Sequence, residues 1–343
     1  MKLTVVIPVH DDAEGLARLL HSLARALRGT DVLTRVVVVD DGSPAPLERA
    51  LPKGALPELP LTWRRNARPM GAGQARNIGL DEAESSHVLF LDADDTVTPE
   101  LGTLLRQLAG LSFDFALFAH DDSRRLAQGD TGPDEMLDRS LWADLAPGPD
   151  PVALTPEQAR RICRISNYPW NKIWRHDFLR QHAIRYTEIA LHNDIEPHWA
   201  GFIEARQILC SDRRCVIHHV ARGRNQLTNR RGAERLCVFQ ALEAVLARLL
   251  ASSPGLPERA CCMGPFLEFT LRLLDWVDEL LEDPAASAEL QDRARCLLHH
   301  LAQNAPPRLA GAVEDAFATE PGLALRFLHW AGSKQGLAPA RAQ

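Results

Sequence analysis

Hydrophobic positions in the first 120 residues alternate between two periodicities. Leu3-Thr4-Val5-Val6-Ile7 is a β-branched strand run that closes at Pro8. Leu16, Leu19, Leu20, Leu23 and Leu27 follow at helical spacing. Val36 to Val39 is apolar on both faces, the pattern of a buried parallel strand, and stops at the turn cluster Asp40-Asp41-Gly42-Ser43. Leu61-Thr62-Trp63 is a weaker strand, and Gly73 to Glu84 reads as a helix. His87-Val88-Leu89-Phe90-Leu91 is a fourth strand, ended by Asp92-Ala93-Asp94-Asp95. Thr98 then caps a helix that has Pro99 at its first position. Phe113 to Phe118 is a fifth strand. Such repeated β-α-β units predict an α/β fold with a mostly parallel sheet flanked by helices. Ligands of such sheets bind beyond the carboxyl ends of the strands. Three acidic clusters fall on that edge: His10-Asp11-Asp12, Asp40-Asp41 and Asp92 to Asp95.

From Asp121 to Pro156 the pattern is irregular, with a short helix expected near 134–145. Tyr168 to His219 mixes aromatic and charged residues, and Cys215-Val216-Ile217-His218-His219 reads as a strand entering a loop. Beyond Thr228 long apolar helical faces, Val238 to Leu250 and Phe266 to Leu281, predict a C-terminal helical subdomain over 231–343.

Composition narrows the classes. Hydrophobic residues make up 45% and charged residues 24% of the 343, an ordinary globular balance. A net charge of −6 gives a nucleic-acid role no support. No apolar stretch reaches the roughly 18 residues that span a bilayer, and Met1 to Val9 is too short for a signal h-region. Seven cysteines in a chain this large fit no paired disulfide framework and read as reduced thiols. The expected location is cytoplasmic, with at most peripheral membrane contact; a homodimer through the helical region is also an expectation.

The strongest chemical signal is Phe90-Leu91-Asp92-Ala93-Asp94-Asp95. Hard divalent cations, Mn2+ or Mg2+, prefer carboxylate oxygens and keep positions open for substrate phosphates. The competing account is an acidic turn that merely starts the next helix. Other signals fail. Gly71-Ala72-Gly73 begins a dinucleotide fingerprint but lacks the third glycine and follows the wrong strand. No P-loop and no nucleophile elbow appear. Cys210, Cys215, His218 and His219 lack the paired spacing of a zinc site.

Four segments in order, Val5 to Asp11, Val38 to Ser43, Gly73-Gln74-Ala75-Arg76-Asn77-Ile78-Gly79-Leu80 and Leu91 to Asp95, resemble the motifs of family 2 glycosyltransferases. Tyr168-Pro169-Trp170-Asn171-Lys172-Ile173-Trp174 is similar to a W-N-K segment of bacterial members. The resemblance covers roughly residues 1 to 230. It implies an inverting GT-A enzyme with a nucleotide-binding half over 1–120 and an acceptor half over 121–230. It places Pro8 and His10 against the nucleoside, Asp41 on the uracil imide and Arg76 on the nucleotide. Asp92 and Asp94 become donor ligands, and Asp94 and Asp95 metal ligands. One of His218 and His219 would complete the metal shell, since strand alternation points only one of them at the site.

The family's catalytic base lies in an acidic pair after the D-x-D. Here that segment is Leu191-His192-Asn193-Asp194-Ile195-Glu196, with Asn193 in place of the first acid, so the resemblance assigns Asp194. The alternative is a helix start capped by Asn193. Trp170, Asn171 and Lys172 are expected near the acceptor, and Arg222 and Arg224 near the diphosphate. The implied partners are a nucleotide-sugar donor, a UDP-sugar by the Asp41 assignment, and a carbohydrate or lipid-linked acceptor of bacterial surface glycan synthesis. Rival readings are a non-catalytic nucleotide- or sugar-binding relative and a sugar nucleotidyltransferase. The latter needs a glycine-rich phosphate loop where Pro8-Val9-His10-Asp11-Asp12 stands.

Overall fold

The computed structural model describes residues 1–51, 59–220, 231–251 and 262–332. Its contacts divide the chain into two units, Met1–Arg224 and Asn225–Gln343.

The first unit runs β1 (Lys2–Val9), α1 (Ala13–Leu27), β2 (Leu33–Asp40), α2 (Leu47–Ala50), β3 (Leu61–Arg65), α3 (Ala72–Asp81), β4 (His87–Phe90), β5 (Thr96–Val97) and α4 (Pro99–Leu108). It continues through β6 (Phe115–Asp122), α5 (Ser123–Leu126), α6 (Met136–Leu145), β7 (Val152–Ala153), α7 (Pro156–Ile162), β8 (Lys172–Arg175), α8 (His176–Gln181), α9 (Ile195–Glu204) and β9 (Ile208–His218). One sheet holds every strand among the described residues, in the order β3-β2-β1-β4-β8-β6-β9-β5, with β7 beside β9.

The half built from β1 to β4 is parallel, as its doubly apolar strands require. Val5, Ile7, Val36, Val38 and Leu89 on one face meet Leu16, Leu19, Leu20 and Leu23 of α1 and Leu101, Leu104 and Leu105 of α4. All four α1 leucines are fully buried, and each contributes about 1.5–3 kcal/mol of hydrophobic stabilisation. Asp12 starts α1 by accepting from Gly15 N at 3.0 Å. Thr98 caps α4 as expected, accepting from Glu100 N with Pro99 in the first turn.

The other half is mixed. β8 lies between β4 and β6, antiparallel to both, while β6 and β9 are parallel. β8 has only four residues, Lys172-Ile173-Trp174-Arg175, too few for periodicity to reveal. It still decides the site, because it carries the W-N-K segment against the end of β4.

The second unit contains α10 (Val238–Leu250), α11 (Met263–Leu280), α12 (Pro284–Asn304), α13 (Pro307–Thr319) and α14 (Pro321–Ala331). Proline in the first turn of the last three fits a position whose N–H has no helical partner. Leu271, Leu274, Leu290, Ala294 and Leu298 are buried faces of these helices. Among the described residues no helix is long and apolar enough to cross a membrane.

Candidate active site

The carboxyl ends of β1, β2 and β4 all carry acids, and they divide at once into two kinds. After β2, Asp40 accepts from Ser43 N at 2.9 Å, Leu47 N at 3.1 Å and Arg65 at 2.6 Å. Burial pushes its carboxyl up, but these bonds outweigh it and hold it below the ordinary carboxylate range. Asp41 accepts from Asn66 Nδ2 at 2.7 Å, Met70 N at 2.9 Å and Gly71 N at 2.8 Å. It thereby ties the 66–71 loop to the strand end. Gly42 makes the turn with φ 70°, and a Cβ there would stand 2.3 Å from the Arg68 carbonyl carbon.

Near this turn, His10 is exposed and donates from Nδ1 to Asp41 O at 2.9 Å. Pro8 is buried inside β1, opposite Val39. The nucleoside contact expected of Pro8 is therefore corrected: its ring is covered, and His10 is the accessible member of the pair. The first acidic cluster is also reduced, because Asp12 is occupied as a helix cap.

After β4 the acids behave differently. Asp95 is 1% exposed; its Oδ1 accepts from His219 N at 2.8 Å and His218 Nδ1 at 3.1 Å. Its Oδ2 is buried without a hydrogen-bond partner. Burial raises the Asp95 carboxyl against the pull of His218. Burial, then the charges of Asp92 and Asp95, push Asp94 up to about 6. Such a cluster is short of positive charge.

His218 resists its own burial because Asp95 favours its charged form. The His219 ring shares a hydrogen bond with Thr96 Oγ1 at 2.9 Å. Strand alternation thus sends the His218 ring to the acids and turns the His219 ring to Thr96, and the metal-ligand expectation for His219 is corrected. Among the described residues no three His, Cys, Asp or Glu side chains form a ready cation cage. The donor set still fits a hard cation: three crowded carboxylates, two of them raised, and one orphaned carboxylate oxygen.

Arg76 joins this loop to the Asp194 segment. Its Nη2 donates to Asp92 Oδ1 at 2.5 Å and its Nη1 to Asn193 Oδ1 at 2.7 Å. The guanidinium stands 5.1 Å from the Tyr186 ring centroid. Asn77, the next residue, holds Tyr186 by a reciprocal pair with its backbone at 2.9 and 3.0 Å. Gly73 allows the approach: a Cβ there would lie 2.5 Å from Thr187 O and 3.0 Å from Asn193 Cβ. Asn193 therefore does not cap the following helix. Asp194 occupies that position, and its side chain makes no capping bond.

Burial raises the Asp194 carboxyl most, Asp92 adds to it, and Arg76 and Lys172 oppose it; the result is about 6. A partly buried carboxyl near 6 is suited to take a proton at neutral pH.

The W-N-K segment backs this site rather than opening onto it. Trp170 is fully buried, stacked 4.3 Å from Tyr168 and edge-on to His120 at 4.8 Å. Lys172 Nζ donates to Tyr168 O at 3.1 Å and Asn171 Oδ1 at 2.5 Å. Burial lowers the lysine to about 7 against the pull of Asp194 and Asp138. The acceptor contacts expected of Trp170, Asn171 and Lys172 are corrected: all three are at most 2% exposed. Arg222 and Arg224 lie outside the described residues.

Tyr186, Asn77 and Gly73 are site residues that the sequence patterns do not single out. Asn77 and Gly73 sit in the same motif as Arg76, which was a usable signal. Tyr186 gave only scarcity: the chain has two tyrosines, Tyr168 and Tyr186, and both stand behind the site.

A sheet with a parallel half, an acidic loop after β4 and a second carboxylate, Asp194, next to the Asn193 that Arg76 reaches has the architecture of a GT-A glycosyltransferase domain. The glycosyl transferase family 2 profile matches residues 4–140 of the chain. It is similar to the pre-mycofactocin glycosyltransferase of Mycobacterium tuberculosis, 43% identical over 101 residues, which are 29% of this chain and 19% of that protein. It is also similar to the succinoglycan biosynthesis protein ExoW of Rhizobium meliloti, 40% identical over 101 residues, 29% of this chain and 31% of the relative. The matched stretch thus spans less than a third of either relative. Among solved structures, S. aureus TarS 1-349 in complex with UDP-GlcNAc superposes with a TM-score of 0.69 at 20% identity, covering 96% of this chain and 89% of that one. That likeness shows the fold.

Proposed function

We propose that this protein transfers a sugar, with inversion, from a UDP-sugar to a hydroxyl group of a glycan-type or lipid-linked acceptor, using Mn2+ or Mg2+. The observation that carries the reading is the Arg76 bridge. One guanidinium holds Asp92 of the acidic loop and Asn193 beside Asp194, so the nucleotide side and the base side are fixed to each other.

Asp94, Asp95 and His218 would hold the cation, which supplies charge neutralisation for the departing diphosphate. His10 offers an exposed ring to the base. Asp41, with Oδ2 accepting a single internal bond, keeps acceptor capacity for an imide N–H. Asp194 takes the proton of the acceptor hydroxyl as its oxygen bonds to the anomeric carbon. The bond from that carbon to the diphosphate oxygen breaks, and UDP leaves with the electron pair. Asp194 suits the step because its carboxyl is ionised at neutral pH yet basic enough to accept a proton.

Relatives support the wider role. ExoW is named for succinoglycan biosynthesis, so surface glycan synthesis is the proposed setting. Cysteines free of disulfides among the described residues suit a reducing cytoplasm.

The test is a titration of UDP, GDP, CDP and ADP with and without Mn2+, followed by UDP-sugar turnover. UDP-selective, metal-dependent binding and UDP release that Asp194→Asn abolishes are expected. Binding that ignores metal, or full turnover in Asp194→Asn, overturns the reading and favours a non-catalytic relative.

A further inference from the structure

Behind the acidic loop lies a second concavity that the transfer reaction does not use. It has a volume of about 630 Å3 and lies between α1 and the strand pair β5–β9. Arg18, His21 and Arg25 line it from α1, and Thr96, Thr98 and Ile217 from the opposite wall. No aspartate or glutamate lines it. The chain as a whole is acidic, at −6, so a wall this basic is a local feature.

The three basic residues repeat at i, i+3 and i+7, which places them on one face of α1. All three are exposed, while Leu16, Leu19, Leu20 and Leu23 take the opposite face into the core. Arg18 and Arg25 have no carboxylate partner among the described residues, whereas Arg35, Arg64, Arg65 and Arg76 are each paired. His21 donates from Nδ1 to Ala17 O at 2.7 Å, which leaves Nε2 directed outward.

We propose that this groove binds an extended polyanion, a chain carrying successive phosphates, separately from the nucleotide site. The arrangement of charge selects that ligand. A single phosphate group can be held by one guanidinium through two parallel bonds. Here the cations form a row, and seven residues of helix separate Arg18 from Arg25 by roughly 10 Å. A row of that length matches successive phosphates on an extended chain.

The groove also ends at the reaction centre. The Thr96 hydroxyl bonds the His219 ring, the His219 backbone N–H bonds Asp95, and Ile217 precedes His218. A polyanion lying along α1 would bring its end to the back of the acidic loop.

The test uses the full chain in EDTA, where the uncompensated acids of the nucleotide site repel anions. Inorganic tripolyphosphate, orthophosphate and vesicles with and without phosphatidylglycerol are titrated against wild type and Arg18→Ala/Arg25→Ala. Tripolyphosphate should bind at least tenfold tighter than orthophosphate. The double variant should lose at least tenfold of that affinity, and added salt should weaken binding. Both substitutions are on exposed positions, and unchanged melting of the variant checks that it folds. Asp95→Asn should bind tripolyphosphate as wild type does, which separates failure here from failure of the nucleotide reading. Equal affinity for the two phosphates, or no loss in the double variant, overturns the proposal. Binding to anionic vesicles without tripolyphosphate binding also overturns it and assigns the groove to a membrane surface.

Discussion

The turn after β2 and the loop after β4 look alike as strings of residues, yet the fold treats their carboxylates in opposite ways. Asp40 and Asp41 accept six hydrogen bonds from their own chain, counting three on each. Asp92 to Asp95 are crowded, raised in pKa at Asp94 and Asp95, and leave a buried oxygen without a donor. The first cluster shapes a wall. The second holds unspent negative charge at the carboxyl end of β4. An acidic motif therefore keeps spare negative charge only where the surrounding chain declines to satisfy it, and in the first cluster only Asp41 Oδ2 retains acceptor capacity.

Asp194 belongs with the second kind, and its loss should have the largest effect. Asp194→Asn is expected to lower turnover about 10²–10⁴-fold while UDP affinity in equilibrium titrations stays near wild type. Equal loss of both would make Asp194 a binding residue. Asp95→Asn should cost metal-dependent UDP affinity no less than the roughly 10- to 100-fold typical of outer-shell partners of a metal. Its thermal stability should not fall, because a poorly solvated charge has been removed. Asp40→Ala should do the reverse: about 1–3 kcal/mol less stability as Ser43 and Leu47 N–H groups lose their acceptor, with residual UDP binding at low temperature. Denaturant melts of the two variants side by side decide the comparison.

The pH dependence of the two kinds has opposite sign. Asp40 is held below the ordinary value of 3.8, so its contribution is present above that value and lost as pH falls through the lower folded value. Asp194 sits at about 6, above 3.8. Its ionised form therefore opposes folding above pH 6, and the penalty vanishes as pH falls from about 6 toward 3.8. Asp194→Asn should accordingly gain more melting temperature at pH 8 than at pH 5. The rate of wild type should fall as pH drops below about 6, where the base is protonated. The smallest effect is expected from Lys172→Met. Removing a cation that opposes the Asp194 shift should move that acidic limb to higher pH, with little change in acceptor KM. A large KM change instead would return Lys172 to the acceptor site.

Much of this is legible in the sequence. The strands β1, β2, β3, β4 and β6, the Thr98 cap and the ordered motifs follow from local rules: doubly apolar runs, cap chemistry and turn residues. β8 was not readable, being four residues whose pairing partners lie more than 50 positions away. Trp170 and Lys172 looked like acceptor contacts because aromatic and cationic residues together resemble a sugar site. The antiparallel insertion of β8 buries both. His218 and His219 could be told apart only to the extent that one of them had to face inward.

The residues by themselves determined the resemblance to family 2 glycosyltransferases, the parallel half-sheet and the edge on which acids collect, because these depend on periodicity and on motifs a few residues long. The tertiary structure alone decided which acids are satisfied. It also decided that Arg76 reaches Asn193 across 117 positions and that two exposed arginines and a histidine of α1 face a groove. Hydrogen-bond satisfaction and burial are properties of what surrounds a group in space, and chain order does not fix those surroundings.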